Sequence, residues 1–247
     1  MKRDLPFDVD DTQLQAALAR KVAAAVELLS DIARRFQPAA LASSLGAEDM
    51  VLTDLIAKHA PAIEVFTLDT GRLRAETYRL LQQITDHYAL RIRVVYPSGD
   101  ALERLVAEHG INGFFSSVAS RKACCEVRKV EPLRRALAGK RAWITGLRRA
   151  QALTRASLPL QEHDAANGLE KFSPLADWQV QEVWAYLHLF GVPYNALHDR
   201  GFPSIGCEPC TRAVTAGEDI RAGRWWWEEP GSKECGLHPA KRRQAAA

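Results

Sequence analysis

Short apolar runs alternate with helical patterns along the first half of the chain. Strands are predicted over 39–44, 63–68, 91–96 and 141–146, which are short and rich in apolar residues. Between them, apolar positions three and four residues apart predict helices over 48–59, over 75–87 and after the turn at 97–100. Strands that alternate with helices favour an α/β fold with a mostly parallel sheet, whose ligands lie at the carboxyl ends of the strands.

Further helices are predicted on either side of this pattern. An amphipathic helix precedes the first strand and has Asp10 or Asp11 as its cap. Another helix is predicted over 121–137, a polar loop over 147–155, and a last helix behind a cap at Asp177. The expected parts of the chain are an N-terminal helix over 1–36, an α/β domain over 37–203, a C-terminal cysteine segment over 204–238 and a disordered tail over 239–247.

Composition narrows the class of protein. With 247 residues, 47% of them apolar, the chain can bury a sizeable core. The acidic start is unlike a signal peptide, and no run approaches the ~20 apolar residues of a membrane span, so we expect a soluble, cytoplasmic protein without a membrane partner. The net charge of +3 is too small for a general nucleic-acid binder.

Four of the five cysteines form two pairs, Cys124 with Cys125 and Cys207 with Cys210. An odd cysteine count, an adjacent pair and no secretion signal argue against a disulfide framework. The four thiols are compatible with a structural zinc ion or with an iron-sulfur cubane. Adjacent helical side chains diverge by about 100°, which is awkward for one zinc ion and favours the cluster. Lys129 lies four residues after Cys125, where its charge would offset that of the thiolates.

The fifth cysteine, Cys235, stands alone between Lys233 and His238. A lone cysteine is commonly a small buried apolar residue. Nearby cations instead lower the pKa of a thiol and raise the fraction of reactive thiolate, so the pattern favours a nucleophile.

Two loops follow predicted strands at the same end of the sheet. The first, 43–49, contains Gly46 before a helix and lacks the ending of a nucleotide triphosphatase loop. Its carboxylates Glu48 and Asp49 disfavour a triphosphate and fit a nucleoside monophosphate group better, although an ordinary turn would look similar. The second, 68–72, offers Asp69 to a ribose or adenine and Arg72 to an anion; its alternative is a helix-capping turn.

Arginines are concentrated near the cysteine segments, at Arg148, Arg149, Arg155, Arg212, Arg221 and Arg224. Such residues are most often a solvated face. Several of them close to thiols suggest a small, multiply charged anionic substrate.

Seven short segments together resemble one enzyme family. They are Ser-Leu-Gly-Ala-Glu-Asp at 44–49, Leu-Asp-Thr-Gly-Arg at 68–72, Cys-Cys-Glu-Val-Arg-Lys at 124–129, Thr-Gly-Leu-Arg-Arg at 145–149, Gly-Cys-Glu-Pro-Cys-Thr-Arg at 206–212, Arg-Trp-Trp-Trp-Glu at 224–228 and Glu-Cys-Gly-Leu-His at 234–238. Over 41–238 the sequence closely resembles the assimilatory adenosine 5′-phosphosulfate (APS) reductases of the phosphosulfate reductase family.

The resemblance implies a fold, a cofactor and a site. The fold is an adenine-nucleotide alpha-hydrolase-like sheet of the PP-loop type, with a mobile C-terminal segment that delivers Cys235. The cofactor is a [4Fe-4S] cluster on Cys124, Cys125, Cys207 and Cys210. The implied substrate-binding residues are Ser44, Gly46, Asp49, Leu68, Asp69, Arg72, Lys129, Gly146, Arg148, Arg149, Arg155, Arg221, Arg224 and His238.

The implied activity is reduction of APS to sulfite and AMP during sulfate assimilation toward cysteine, through a thiosulfonate on Cys235 that thioredoxin or a similar dithiol resolves. A homo-oligomer is compatible with it. The alternatives are a reductase of 3′-phosphoadenosine 5′-phosphosulfate (PAPS) or of both nucleotides, an adenylating pyrophosphatase, which would not need Cys235, and a redox sensor that carries a cluster or zinc.

Overall fold

A computed structural model describes residues 5–151, 155–215, 217–229 and 236–237. The strands are β1 (Ala39–Ser43), β2 (Glu64–Leu68), β3 (Arg93–Val95), β4 (Ala142–Ile144), β5 (Gln161–Asp164) and β6 (Leu169–Phe172). The helices are α1 (Thr12–Arg35), α2 (Ala47–His59), α3 (Ala75–His87), α4 (Gly99–His109), α5 (Val118–Cys125), α6 (Glu131–Leu137) and α7 (Val180–Leu189).

The strands form one sheet in the order β3-β2-β1-β4-β6-β5. Every neighbouring pair is parallel except β5 with β6 at one edge, which confirms the predicted mostly parallel sheet. The antiparallel β5–β6 hairpin was not predicted, because its first strand is polar and lies partly exposed at the edge. Since β1 pairs with both β2 and β4 in parallel, the carboxyl ends of these three strands lie together.

The two faces of the sheet have separate cores. Leu41, Val65 and Ile144 face a large cluster that α1, α2 and α7 cover. Their neighbours Ala40 and Phe66 face the opposite side, where Leu133, Ala136, Leu137 and Trp143 pack with them. Alternate residues of a strand point to opposite faces, so both faces of these buried strands must be apolar. The sheet is therefore packed on both faces, and the loops at its carboxyl edge start from this packed core.

Helix boundaries agree with the sequence in part. Asp11 caps α1 as predicted, because its carboxylate accepts from the backbone N–H groups of Gln13 and Leu14 at 2.7 and 3.0 Å. The predicted cap at Asp177 is wrong: α7 starts after Gln179, which forms a capping box with Glu182. In the described part of the chain, no helix is long and apolar enough to cross a membrane.

The helix predicted over 121–137 is interrupted where the first cysteine pair ends. A π-helical turn, Glu126–Val130, separates α5 from α6. Such turns occur frequently at functional sites. Here the turn carries Arg128 and Lys129, directly after Cys125.

Candidate active site

The loop between β1 and α2 surrounds a buried carboxyl group. Asp49 Oδ2 accepts hydrogen bonds from the backbone N and the Oγ of Ser44, both at 2.6 Å. Between these residues, Leu45 adopts a left-handed conformation with φ of 60°, which is rare for a residue other than glycine. Gly46 precedes the helix, whose first amides carry the positive end of the helix dipole. Because the amides at the start of a helix favour an anion, we call residues 43–49 the anion loop, and Asp49 is a carboxylate inside it.

The loop after β4 closes against the same carboxyl group. A Cβ on Gly146 would lie 2.3 Å from Asp49 Oδ1 and 3.2 Å from the Asp49 backbone nitrogen, so only glycine fits. Burial raises the pKa of Asp49 to about 6, although hydrogen bonds from Ser44 and Gly146 oppose the shift and Glu48 adds to it. Ser44, Gly46, Asp49 and Gly146, four of the predicted substrate-binding residues, are therefore brought together.

We expect Gly146→Ala to lower the free energy of unfolding by about 1–3 kcal/mol, because the added methyl group must displace the start of α2. Urea denaturation measures the effect. Gly99→Ala is the matched control, since a Cβ there has no atom within 4 Å in the described structure. Equal stability of the two variants would contradict the close packing of these loops.

Three predicted arginines lie in the loop after β4 or shortly after it. Arg148 is buried, pairs with Glu48 at 2.8 Å and donates to the Trp178 carbonyl at 3.1 Å. Arg149 pairs with Asp177, and Arg155 donates to Gln151. Arg148 thus has a structural role in joining α2 to the β4 loop, whereas Arg149 and Arg155 lie farther out along the chain.

The loop after β2 connects the sheet to the second cysteine pair. Asp69, buried just beyond Leu68, accepts from the Gly71 backbone at 2.8 Å and from the Tyr78 hydroxyl at 2.9 Å. Thr70 Oγ1 lies 3.2 Å from Cys207 Sγ, and the Arg72 carbonyl accepts from the Glu208 backbone at 2.8 Å. Asp69 therefore shapes the loop, and the loop places Cys207.

Arg72 contacts the segment that follows α4. Its guanidinium donates to Asn112 Oδ1 at 2.9 Å and to the Ile111 carbonyl, and it lies 5.2 Å above the ring of Phe114. The same side chain lines the cavity that the cysteines form.

All four paired cysteines line one cavity of about 370 Å³, a volume that includes its opening to solvent. Arg128 and Lys129 line it too, which brings the π-helical turn, α5 and the second pair to one place. Within the described residues, no three His, Cys, Asp or Glu side chains lie close enough to hold a single metal ion. The predicted convergence of the two cysteine pairs on one cavity is present.

The thiols of this cavity differ in acidity. Burial opposes ionisation of Cys207, but the Lys129 charge and the Thr70 hydrogen bond outweigh it and lower the pKa of this thiol. Burial, and after it the charge of Cys207, raises the pKa of Cys210 to about 12. Burial also raises the pKa of Cys124. The cations of the cavity therefore favour negative charge at Cys207 first.

The segment after the second pair forms a wall of the cavity around Trp225. The indole is buried, and Arg121 and Arg224 lie 4.8 and 4.7 Å from its ring centroid. Arg121 also makes a bidentate, buried ion pair with Glu228 at 2.8 and 2.7 Å. Of the tryptophans at 225–227, one is buried, Trp226 is exposed and Trp227 packs on Phe115, so packing accounts for two of them.

The two predicted arginines of this wall differ in their contacts. Arg224 is buried and donates to the Ile205 carbonyl at 3.2 Å, while its Nη2 passes 2.5 Å from where a Cβ on Gly206 would be. The Arg221 backbone is held by Asp219 at 2.8 Å, and its side chain is half-buried. These contacts hold Arg224 in the wall of the cavity, as the ion pair with Glu48 holds Arg148 next to α2.

Cys235 and His238 lie outside the described residues, so their predicted roles stay predictions. The two residues between them are described. A Cβ on Gly236 would lie 3.6 Å from Val130 Cγ2, and Leu237 packs against the core that contains Phe66 and Trp143. The chain thus returns to the end of the π-helical turn immediately after Cys235.

Sequence reasoning missed several residues of the site. Arg128 lines the cavity and donates to the Thr70 carbonyl at 2.6 Å, and Thr70 in turn contacts Cys207. Thr70 and Arg128 lie inside two of the family motifs quoted above, and those motifs were the sequence signal that could have identified them. The pairing of Arg121 with Glu228 joins residues 107 positions apart and has no local signature.

The fold and this edge of the sheet define an α/β protein of the adenine-nucleotide alpha-hydrolase-like, PP-loop type. Residues 38–213 match the model of the family described as phosphoadenosine phosphosulfate reductase domain. The chain belongs to this family.

Curated relatives and solved structures agree with the assignment. The chain is 58% identical to adenosine 5′-phosphosulfate reductase of Allochromatium vinosum, over 90% of this chain and 86% of that protein. It is 54% identical to the enzyme of that name from Burkholderia cepacia, over 92% and 91% of the two chains. The predicted resemblance to APS reductases is confirmed.

Two solved structures show the same fold. PAPS reductase from Candida auris superposes with a TM-score of 0.67 at 27% identity, over 84% of this chain and 99% of that one. Yeast FAD synthetase superposes with a TM-score of 0.58 at 15% identity, over 84% and 70% of the chains, and supports the fold alone.

Proposed function

We propose that this protein reduces APS to sulfite and AMP, with electrons from thioredoxin or a similar dithiol. The observation that carries the proposal is the single cavity lined by Cys124, Cys125, Cys207 and Cys210, beside the loop that leaves β2. High identity to proteins named APS reductases supports the substrate.

The cavity suits a [4Fe-4S] cluster held by these four cysteines. Arg128 Nε and Trp225 Nε1 are buried, line the cavity and have no hydrogen-bond acceptor among the described residues. Buried donors normally have partners, and the sulfur atoms of a cluster are acceptors. When bound, the cluster supplies an electrostatic contribution to the site, while Lys129 offsets the thiolate charge.

The nucleotide would bind at the carboxyl edge of the sheet. The amides at the start of α2 favour an oxyanion, so we place the phosphate side of APS there, next to Ser44 and Asp49. Leu68 and Asp69 would face the nucleoside from the next strand. Arg149, Arg155, Arg221 and His238 stay candidates for the charged groups of the substrate, and Arg148 and Arg224 would act by fixing the surrounding loops.

The first chemical step would use Cys235 as the nucleophile. Its thiolate attacks the sulfur atom of the phosphosulfate, a sulfur–sulfur bond forms, and the sulfur–oxygen bond to the phosphate breaks. AMP leaves with the bonding electron pair, helped by the cations and amides that neutralise its phosphate. The enzyme then carries a thiosulfonate on Cys235.

The second step releases sulfite. A thiolate of the dithiol donor attacks Cys235 Sγ, and sulfite leaves with the electrons of the sulfur–sulfur bond. The second thiol of the donor then attacks its own mixed disulfide and frees Cys235. The donor loses two electrons and two protons in total and becomes a disulfide.

Free thiols are needed throughout this cycle, which fits the reducing cytoplasm and a role in sulfate assimilation toward cysteine.

We propose that residues after about 203 form the segment that brings Cys235 to the nucleotide. The position of Gly236 next to Val130 supports this, because Val130 follows Lys129 directly.

Anaerobic turnover assays with APS and with PAPS test the function. We expect sulfite from APS in the presence of thioredoxin, much less from PAPS, and iron rather than zinc in the purified protein. Efficient turnover of PAPS would support the alternative of a PAPS or dual reductase. A protein that holds iron but turns over neither nucleotide would contradict the proposal and favour a redox sensor.

A further inference from the structure

Asp49 occupies the donors that a bound oxyanion would use. Its Oδ2 accepts from both the N–H and the hydroxyl of Ser44 at 2.6 Å, and the Gly146 amide also donates to this carboxyl group. Asp49 is buried, with 7% of the residue exposed. It therefore lies inside the anion loop as an internal anion and joins the ends of β1 and β4.

The charged side chains near Asp49 do not neutralise its carboxylate. Glu48 from α2 and Arg148 from the β4 loop face the site, and they pair with each other at 2.8 Å. Gln151 donates to the same Glu48 oxygen at 3.0 Å. The groups in contact with Asp49, Ser44 and Gly146, do not titrate. An anion bound in the loop would raise the energy of the Asp49 carboxylate through charge repulsion.

We infer that binding of the phosphosulfate group is coupled to uptake of a proton by Asp49, which acts as a positioning residue of the anion loop. This inference rests on the proposed substrate and goes beyond it. In the neutral form, one oxygen of Asp49 still accepts from Ser44, while the negative charge that would repel the substrate is removed.

The direction of the pH dependence follows from linkage. Burial sets the pKa of Asp49 at about 6 in the free protein, and a bound anion raises this pKa further. Below about pH 6 both states hold the proton, so affinity for the anion is constant. Above it, only the complex holds the proton, and affinity falls as pH rises, by at most about tenfold per pH unit.

The test uses APS with the Cys235→Ser protein, so that binding is measured without reaction. APS is a suitable probe because both acidic groups of its phosphate–sulfate anhydride are strong acids, so its charge there does not change near neutral pH. We expect Kd to rise about tenfold between pH 6 and 7.5. With Asp49→Asn added, we expect a change below about threefold, because an amide does not titrate. Asp31→Asn, whose carboxylate pairs with Arg35 on α1, is the matched control and should keep the full dependence.

Calorimetry keeps the inference testable if Asp49→Asn fails to fold. Titration of Cys235→Ser with APS at pH 7, in two buffers of different ionisation enthalpy, should show uptake of a fraction of one proton. Tight binding without proton uptake, or an unchanged pH profile in a folded Asp49→Asn variant, would overturn the inference alone. Failure of APS to bind at any pH would overturn the proposed function and this inference with it.

Discussion

Replacement of Cys235 by serine is expected to lower sulfite release by a factor on the order of 10³ or more. A serine hydroxyl is a far weaker nucleophile at neutral pH than a thiolate, and it cannot form the sulfur–sulfur bond from which a thiol displaces sulfite. We expect APS affinity and iron content to stay the same, because the cavity lined by Cys207 and Cys210 does not depend on this side chain.

Single-turnover and steady-state assays of sulfite measure the effect, with iron analysis of the same sample. Retained iron together with lost turnover separates a missing nucleophile from a damaged site. Sulfite release by Cys235→Ser at the rate of the unmodified protein would exclude the proposed intermediate.

Replacement of Cys207 by serine is expected to remove most of the bound iron and to destabilise the protein. Cys207 is buried, contacts Thr70 and lies in the cavity with three other thiols. Its replacement removes one of the four proposed ligands, and it removes the thiol whose pKa the surrounding charges lower. Binding of a metal centre adds its binding free energy to that of folding, and the thermal midpoint should fall with the iron content.

Cys235→Ser is the matched control for this variant, because the chemical change is the same at a cysteine outside the cluster set. Iron per chain, the visible absorption of the cluster and thermal unfolding are measured for both proteins. Full iron content in Cys207→Ser would contradict the proposed ligands, and equal iron loss in both variants would contradict the separation of cluster from nucleophile.

The sequence was a good guide to the parallel part of the fold because burial on both faces requires short segments rich in apolar residues. β1, β2 and β4 and the helices α2 and α3 lie within a residue or two of their predicted bounds. The β5–β6 hairpin escaped prediction because Gln161, His163 and their neighbours are polar, and its pairing depends on the edge of the sheet rather than on local pattern.

The sequence could predict only those parts of the site that short motifs and residue spacing specify. Cysteine spacing indicated that two distant pairs share one site, and the structure brings them to one cavity. The roles of arginines are different, because the same side chain can bind a substrate or brace a loop. Only the tertiary contacts show that Arg148 forms an ion pair with Glu48, and that Arg121 and Arg224 both lie against the ring of Trp225.

The central claim is that Cys235 accepts the sulfur group of APS, and intact-protein mass spectrometry with peptide mapping tests it most directly. The cluster-loaded protein is incubated anaerobically with APS or with PAPS, without any reductant. We predict the mass increase of one SO₃ group on the peptide that contains Cys235, formed preferentially from APS. No adduct from either nucleotide, or an adduct on a different cysteine, would contradict the account.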